Sequence, residues 1–311
     1  MSTHLVIAMG DLHAGSTVGL CPPSGINLDD GGRMMPNRLQ KWLWARYQEC
    51  WETVAELQDE HKPDTTRLIL NGDLTDGIHH NSPQVAPLAG QHFRTAIECL
   101  EQGPLKLCPD EVHIIRGTES HVGRSGELEE GIARSMKKQY GLPVIPDTNT
   151  GQYSSFWRRI DIDGILFDIR HHGRMGQRAH TRGPYSRWYA QDIALEHMLD
   201  MYGPNIEMLK EIIESKSVRE ARKIAKSILG MRAPDVAIRS HLHRYEDSGV
   251  IHRWPTRNVQ LPCWQLMTAF AHRITAENIS DIGAVIFIVK DGKLKEPIPL
   301  LYKADRPEVH S

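Results

Sequence analysis

Five short apolar, β-branched runs each end in residues able to hold a cation or an anion, and this pattern constrains the chain more than any other feature. Residues 5–9 lead into Gly10-Asp11-Leu12-His13, residues 67–70 into Asn71-Gly72-Asp73, and residues 112–115 into Arg116-Gly117. Residues 165–169 lead into His171-His172-Gly173, and residues 236–238 into Ser240-His241-Leu242-His243. Short apolar runs bounded by glycine predict strands buried on both faces. In α/β sheets ligands bind outside the carboxyl ends of such strands, so five strands that deliver polar side chains at one end predict a site.

Helical periodicity fills the intervals. Leu39, Trp42, Leu43, Tyr47, Trp51 and Val54 share one face of a helix over 37–57, and further helices are expected over 91–101 and 127–140. A helical insert is expected at about 185–230, and the Gly-, Pro- and Asp-rich stretch 15–36 reads as a loop over the site. Strands return at 259–261 and 283–289, and residues 304–311 read as a solvated tail. The whole of 1–311 reads as one domain with an insertion.

Composition narrows the class. A formal net charge of -2 argues against a broadly basic nucleic-acid coat while leaving room for a local basic groove. Seventeen histidines is an unusual number, and several stand beside Asp or Gly at the predicted strand ends. The five cysteines, Cys21, Cys50, Cys99, Cys108 and Cys263, show no C-x-x-C spacing, which argues against a thiolate zinc site and a disulfide framework. Reduced thiols, no signal peptide and no apolar run of roughly 18 residues predict a cytoplasmic protein that does not enter a membrane.

Each polar cluster has a chemical reading. Asp11 and His13, two residues apart on an extended segment, point the same way and can share one metal. Asp73 follows a glycine that lets the chain turn sharply, and one carboxylate can bridge two cations roughly 3.5–4 Å apart. His241 and His243 flank a tight turn and can reach two adjacent metals, while His172, with His171 beside it, offers a further imidazole. Taken singly, each is also met by a capped turn or a surface histidine. Arg174, Arg178, His180, Arg182 and Arg187 form either a phosphate-binding lining or a solvated loop face, and His79-His80 either a substrate contact or an exposed pair.

In this order the clusters resemble the calcineurin-like metallophosphoesterases, whose motifs run D-x-H, G-D-x-x-D, G-N-H-[DE], a His often before Gly, and G-H-x-H. Asp11-Leu12-His13, Gly72-Asp73-Leu74-Thr75-Asp76, His172-Gly173 and Ser240-His241-Leu242-His243 carry the resemblance, the last with Ser in place of Gly. The third motif departs: Gly117-Thr118-Glu119-Ser120-His121 puts Thr118 where the metal-binding Asn is expected and Glu119 where the His is expected. Glu119 then serves as a substitute oxygen ligand or water fills the place, and His121, two residues late, takes the part of the missing imidazole. The altered motif also resembles phage and prophage phosphoesterases.

The resemblance implies an α/β fold, a four-layer α/β/β/α sandwich, and two divalent metal ions, manganese first, with iron, nickel or zinc open. It implies Asp11, His13 and His243 on one metal, His172 and His241 on the other, and Asp73 between them. A bridging hydroxide attacks phosphorus, Arg116 or Arg174 steadies the phosphoryl oxygens, and His121 assists the leaving oxygen. The expected substrate is a phosphodiester of DNA, RNA or a nucleotide, as in a nuclease. The alternatives are a small-molecule phosphomonoesterase and a non-catalytic metal-binding scaffold on the same fold.

Overall fold

The computed structural model describes residues 2–79, 83–174, 179–202, 233–250, 255–269 and 280–303. Two sheets face each other. The first runs in the order β13 (Lys293–Leu294), β12 (Ile282–Lys290), β1 (Thr3–Met9), β4 (Thr65–Asn71), β5 (Glu111–Ile115) and β6 (Ser154–Ser155), with β14 (Ile298–Tyr302) also on β12. The second runs β10 (Glu246–Asp247), β11 (Arg257–Gln260), β9 (Val236–Ser240), β8 (Ile165–His172) and β7 (Trp157–Ile162). A small hairpin, β2 (Ile26–Asn27) with β3 (Arg33–Met34), lies in the segment after β1.

The central strands of the first sheet are apolar because both of their faces are covered. Leu5, Ile7 and Met9 point one way, into a core with Leu43, Tyr47 and Trp51 of α1 (Arg38–His61), Ile97 of α2 (Ala89–Glu101) and Met136 of α4 (Glu127–Gln139). Val6 and Ala8 point the other way, into a second core with Phe167, Ile169, Val236, Ile238 and Phe287 between the sheets. This is the period-2 alternation of a strand, with each half of the residues finding its own apolar partner. On the far side of the second sheet lies α5 (Ala179–Tyr202): Arg239 of β9 donates to Tyr189 Oη at 3.5 Å, and Asn258 of β11 to Ser186 Oγ at 3.0 Å. Helix, sheet, sheet and helix stack in four layers, the architecture that the resemblance implies.

Local chemistry sets several boundaries. Asn37 and Gln40 form a reciprocal capping box that starts α1, and Lys62 in a left-handed conformation ends it ahead of Pro63. The stretch 15–36 is tied down at its ends, since Gln40 Nε2 donates to Ser16 O at 3.0 Å and Asn37 Nδ2 to Thr17 O at 2.7 Å. The expected insert begins earlier than 185, as α5, and its part from 203 to 230 lies outside the described residues, as does the tail from 304. β14 was not anticipated; it is a sheet-edge strand and tolerates Pro299 there.

Candidate metal centre

The loops after β1, β4, β5, β8 and β9 meet at one end of the sandwich. Asp11, His13, Asp73, His241 and His243 all have positive φ, between 44° and 73°. A left-handed backbone is unfavourable for any residue with a Cβ, and such strain gathers at functional sites. It turns the side chains inward, and the loops brace each other: Asp11 N donates to Gly72 O at 2.8 Å and His13 N to Asp73 O at 3.0 Å. Gly117 has no alternative residue, because a Cβ there would overlap the Asp73 carboxylate and backbone nitrogen.

Two groups of ligands result. In the first, His243 Nε2 stands 3.2 Å from Asp11 Oδ1 and 3.1 Å from His13 Nε2. Asp11 is fully buried, and its Oδ1 accepts no hydrogen bond of ordinary geometry. In the second, Asp73 Oδ2 lies 2.9 Å from His171 Nε2 and accepts from Thr118 Oγ1 at 3.1 Å, while Thr118 Oγ1 stands 3.1 Å from His241 Nδ1. Asp11, Asp73 and His171 supply ligand atoms within 4.8 Å of one another and join the two groups. An orphaned carboxylate oxygen and two imidazole nitrogens that converge on one point fit a divalent cation, and the mixed O/N donor set suits manganese, iron, nickel or zinc.

Protonation follows the same geometry. Burial pushes the Asp73 carboxyl up, but His171, together with His121 and His13, outweighs it and holds Asp73 well below the usual carboxylate range. Burial opposes a charge on His171, yet Asp73 and Asp11 raise it to about 10, while its Nδ1 donates to Asn71 O at 2.7 Å. His171 is thus an imidazolium when no cation is bound, and a cation held there would displace its proton. Burial and His171 lower His241 to about 4, so it is neutral at pH 7 and ready to ligate.

Further residues support this set. Asp76 Oδ1 is 3.1 Å from His13 Nδ1 and fixes that ring. His121 Nδ1 donates to the Asp76 carbonyl at 2.6 Å, and its ring packs edge-on against His13 at 4.6 Å. Burial, with His13 beside it, lowers His121 to about 4. Behind the centre, fully buried Glu129 of α4 accepts from Gly117 N at 2.7 Å and Leu74 N at 3.3 Å, so it clasps the loops that carry Thr118 and Asp73.

The structure thus brings together Asp11, His13, Asp73, His241 and His243, with His121 at their edge. His172 is exposed, its ring 4.6 Å from that of His241, and it forms a further metal-competent group with His171 and His241, while His171 is also buried against Asp73. Strand alternation carries that signal: Phe167, Ile169 and His171 share the inward face of β8, and His172 faces out. Two expected residues stand elsewhere. Glu119 opens the short helix α3 (Glu119–Val122), and its side chain is 68% exposed beside Arg124, because the helix turns it to solvent. Arg116 is buried but spent on Ser154, Gln152 and Glu130, with its guanidinium over Phe156. Arg174 is exposed, and 178 lies outside the described residues.

No family model matches the sequence, and no curated protein matches it. Among solved structures, the chain is similar to a predicted phosphoesterase from Streptococcus pneumoniae at 10% identity, covering 94% of this chain and 86% of that one, with a TM-score of 0.29. It is similar to the zinc complex of Vps29 from Entamoeba histolytica at 12% identity, covering 95% and 99%, with a TM-score of 0.31. It is also similar to an archaeal phosphodiesterase at 11% identity, covering 95% and 99%, with a TM-score of 0.34. Likenesses this distant carry no weight for function, which rests on the chain's own residues.

Proposed function

We propose that the chain is a metal-dependent phosphoesterase that acts on phosphodiesters of nucleic acids or nucleotides, with two divalent cations held side by side and manganese the first candidate. The observation that carries the reading is the pair of ligand groups joined through Asp11, Asp73 and His171. When bound, such cations make water a nucleophile at neutral pH and neutralise charge on phosphoryl oxygens.

The protein's part is to hold and orient. Asp11, His13 and His243 form one half of the cradle; Asp73, Thr118, His171 and His241 form the other. Thr118 Oγ1 stands where the resemblance expects an amide oxygen. It donates a hydrogen bond to Asp73 and keeps its lone pairs for a ligand, a weaker oxygen donor than a carboxamide. His121, neutral at pH 7 with Nδ1–H committed to Asp76 O, presents Nε2 as an acceptor. As an acceptor it is placed to orient a water and has no stored proton to deliver to a leaving oxygen. The five unpaired cysteines, four of them buried, support a reducing, cytoplasmic setting.

The test is hydrolysis of bis-p-nitrophenyl phosphate and p-nitrophenyl phosphate by metal-stripped protein resupplied with manganese, with Asp73→Asn as control. Diester turnover that vanishes in the variant supports the reading. Tight manganese binding with no turnover of either ester refutes it and makes the chain a metal-binding scaffold.

A further inference from the structure

The outer face of β7 and β8 carries an aromatic and arginine layer that leads away from the metal centre. Asp168, Arg170 and His172 alternate on this face of β8, so Arg170 lies two residues, roughly 7 Å, from the histidine that borders the cluster. Trp157 of β7 pairs directly across from Arg170. Its ring centroid lies 5.3 Å from Cζ of Arg170, whose Nε stands 3.7 Å from Asp168 Oδ1, and 5.4 Å from Cζ of Arg159, and the ring remains 42% exposed. The indole is not loose: Nε1 donates to Asp168 Oδ2 at 2.6 Å, and Asp168 is itself fully buried and held by Arg239 at 2.7 Å. The Arg170 side chain is 46% exposed, and Phe156, one residue before Trp157, is 59% exposed.

An anchored indole with guanidinium groups close to its ring, open to solvent beside a phosphoester-type centre, matches what an unpaired base and its phosphate need. Aromatic and guanidinium planes stack on splayed-out bases, and the same guanidinium pairs with phosphate. A duplex keeps its base faces covered and gains little from such a layer. Resting on the function proposed above, we infer that Trp157 and Arg170 form a subsite for single-stranded nucleic acid, which receives a base and phosphate next to the scissile diester. DNA and RNA share the chemistry used here, and the sugar is left to the measurement.

The test uses the whole chain, with fluorescence polarisation of labelled oligothymidylate and oligouridylate, each single-stranded and as a duplex, beside turnover of bis-p-nitrophenyl phosphate. Trp157→Ala and Arg170→Gln should each weaken single-strand binding by roughly 5- to 100-fold, the range of one lost base stack. Turnover of the small diester should stay within about two-fold, and duplex should bind more weakly than either single strand. Unchanged single-strand affinity in both variants, or duplex bound equally well, overturns the subsite even if the small diester is hydrolysed. Conversely, single-strand binding that depends on Trp157 in a protein that hydrolyses nothing sustains the subsite while the hydrolytic reading fails.

Discussion

Replacing Glu129 with glutamine should reverse the sign of its effect on stability between pH 5 and pH 9. Glu129 is fully buried, and burial, reinforced by the nearby Asp73 charge, pushes its carboxyl up from 4.5 to about 8. An acid whose folded pKa is raised contributes stability that is complete below the unfolded value and is lost as pH rises through the folded value. Across that gap the loss, at 1.36 kcal/mol per pH unit, comes to about 5 kcal/mol in the metal-free protein. Glutamine carries no such penalty. Its single carbonyl oxygen cannot serve both Gly117 N and Leu74 N, however, so one buried donor is left unmet at a cost of about 1–3 kcal/mol. The variant should therefore be less stable than the parent by about 1–3 kcal/mol at pH 5 and more stable by about 2–4 kcal/mol at pH 9. Urea denaturation in the presence of a chelator, from pH 5 to 9 with equal m-values, reads this directly. A difference that stays constant across the range would show that Glu129 ionises freely and would refute the account of its burial. Adding manganese should shrink the crossover, because cations beside Asp73 relieve the crowding of the two carboxylates.

Other expectations separate neighbouring residues. His171→Ala should weaken manganese binding by at least roughly 100-fold in a calorimetric titration, whereas His172→Ala should change it by less than about 10-fold, since only His171 meets Asp73. Gly117→Ala should abolish metal binding and lower stability by about 1–3 kcal/mol, because its methyl group occupies the space of the Asp73 carboxylate; retained binding in that titration would show that the loop can shift. Glu119→Gln should leave stability within about 0.5 kcal/mol and manganese affinity unchanged, as expected of an exposed side chain, and lost affinity would restore it as a ligand.

The sequence alone determined the parts that depend on neighbours along the chain. Strands buried on both faces show as unbroken apolar runs, and the helix over 37–57 shows as a stripe through Leu43, Tyr47, Trp51 and Val54. Asp11, His13, Asp73, His241 and His243 were legible because each lies just past such a run, where a turn must place it at the sheet's end. Tertiary structure decided what depends on facing and on distant partners. His171 joins Asp73 inside the centre, with His172 beside it on the exposed side near His241, because the strand's alternation is anchored by which sheet it faces. Glu119 leaves the centre because the short helix after Thr118 turns it outward, although its spacing from Gly117 is that of the motif. Arg116 stands at a strand end like the others, yet Glu130 of α4, Ser154 of β6 and Gln152 just before it claim its guanidinium. Glu129, more than 50 residues from Asp73 in sequence, acquires its role and its raised pKa only when α4 packs behind both loops and excludes the water that would otherwise solvate its charge.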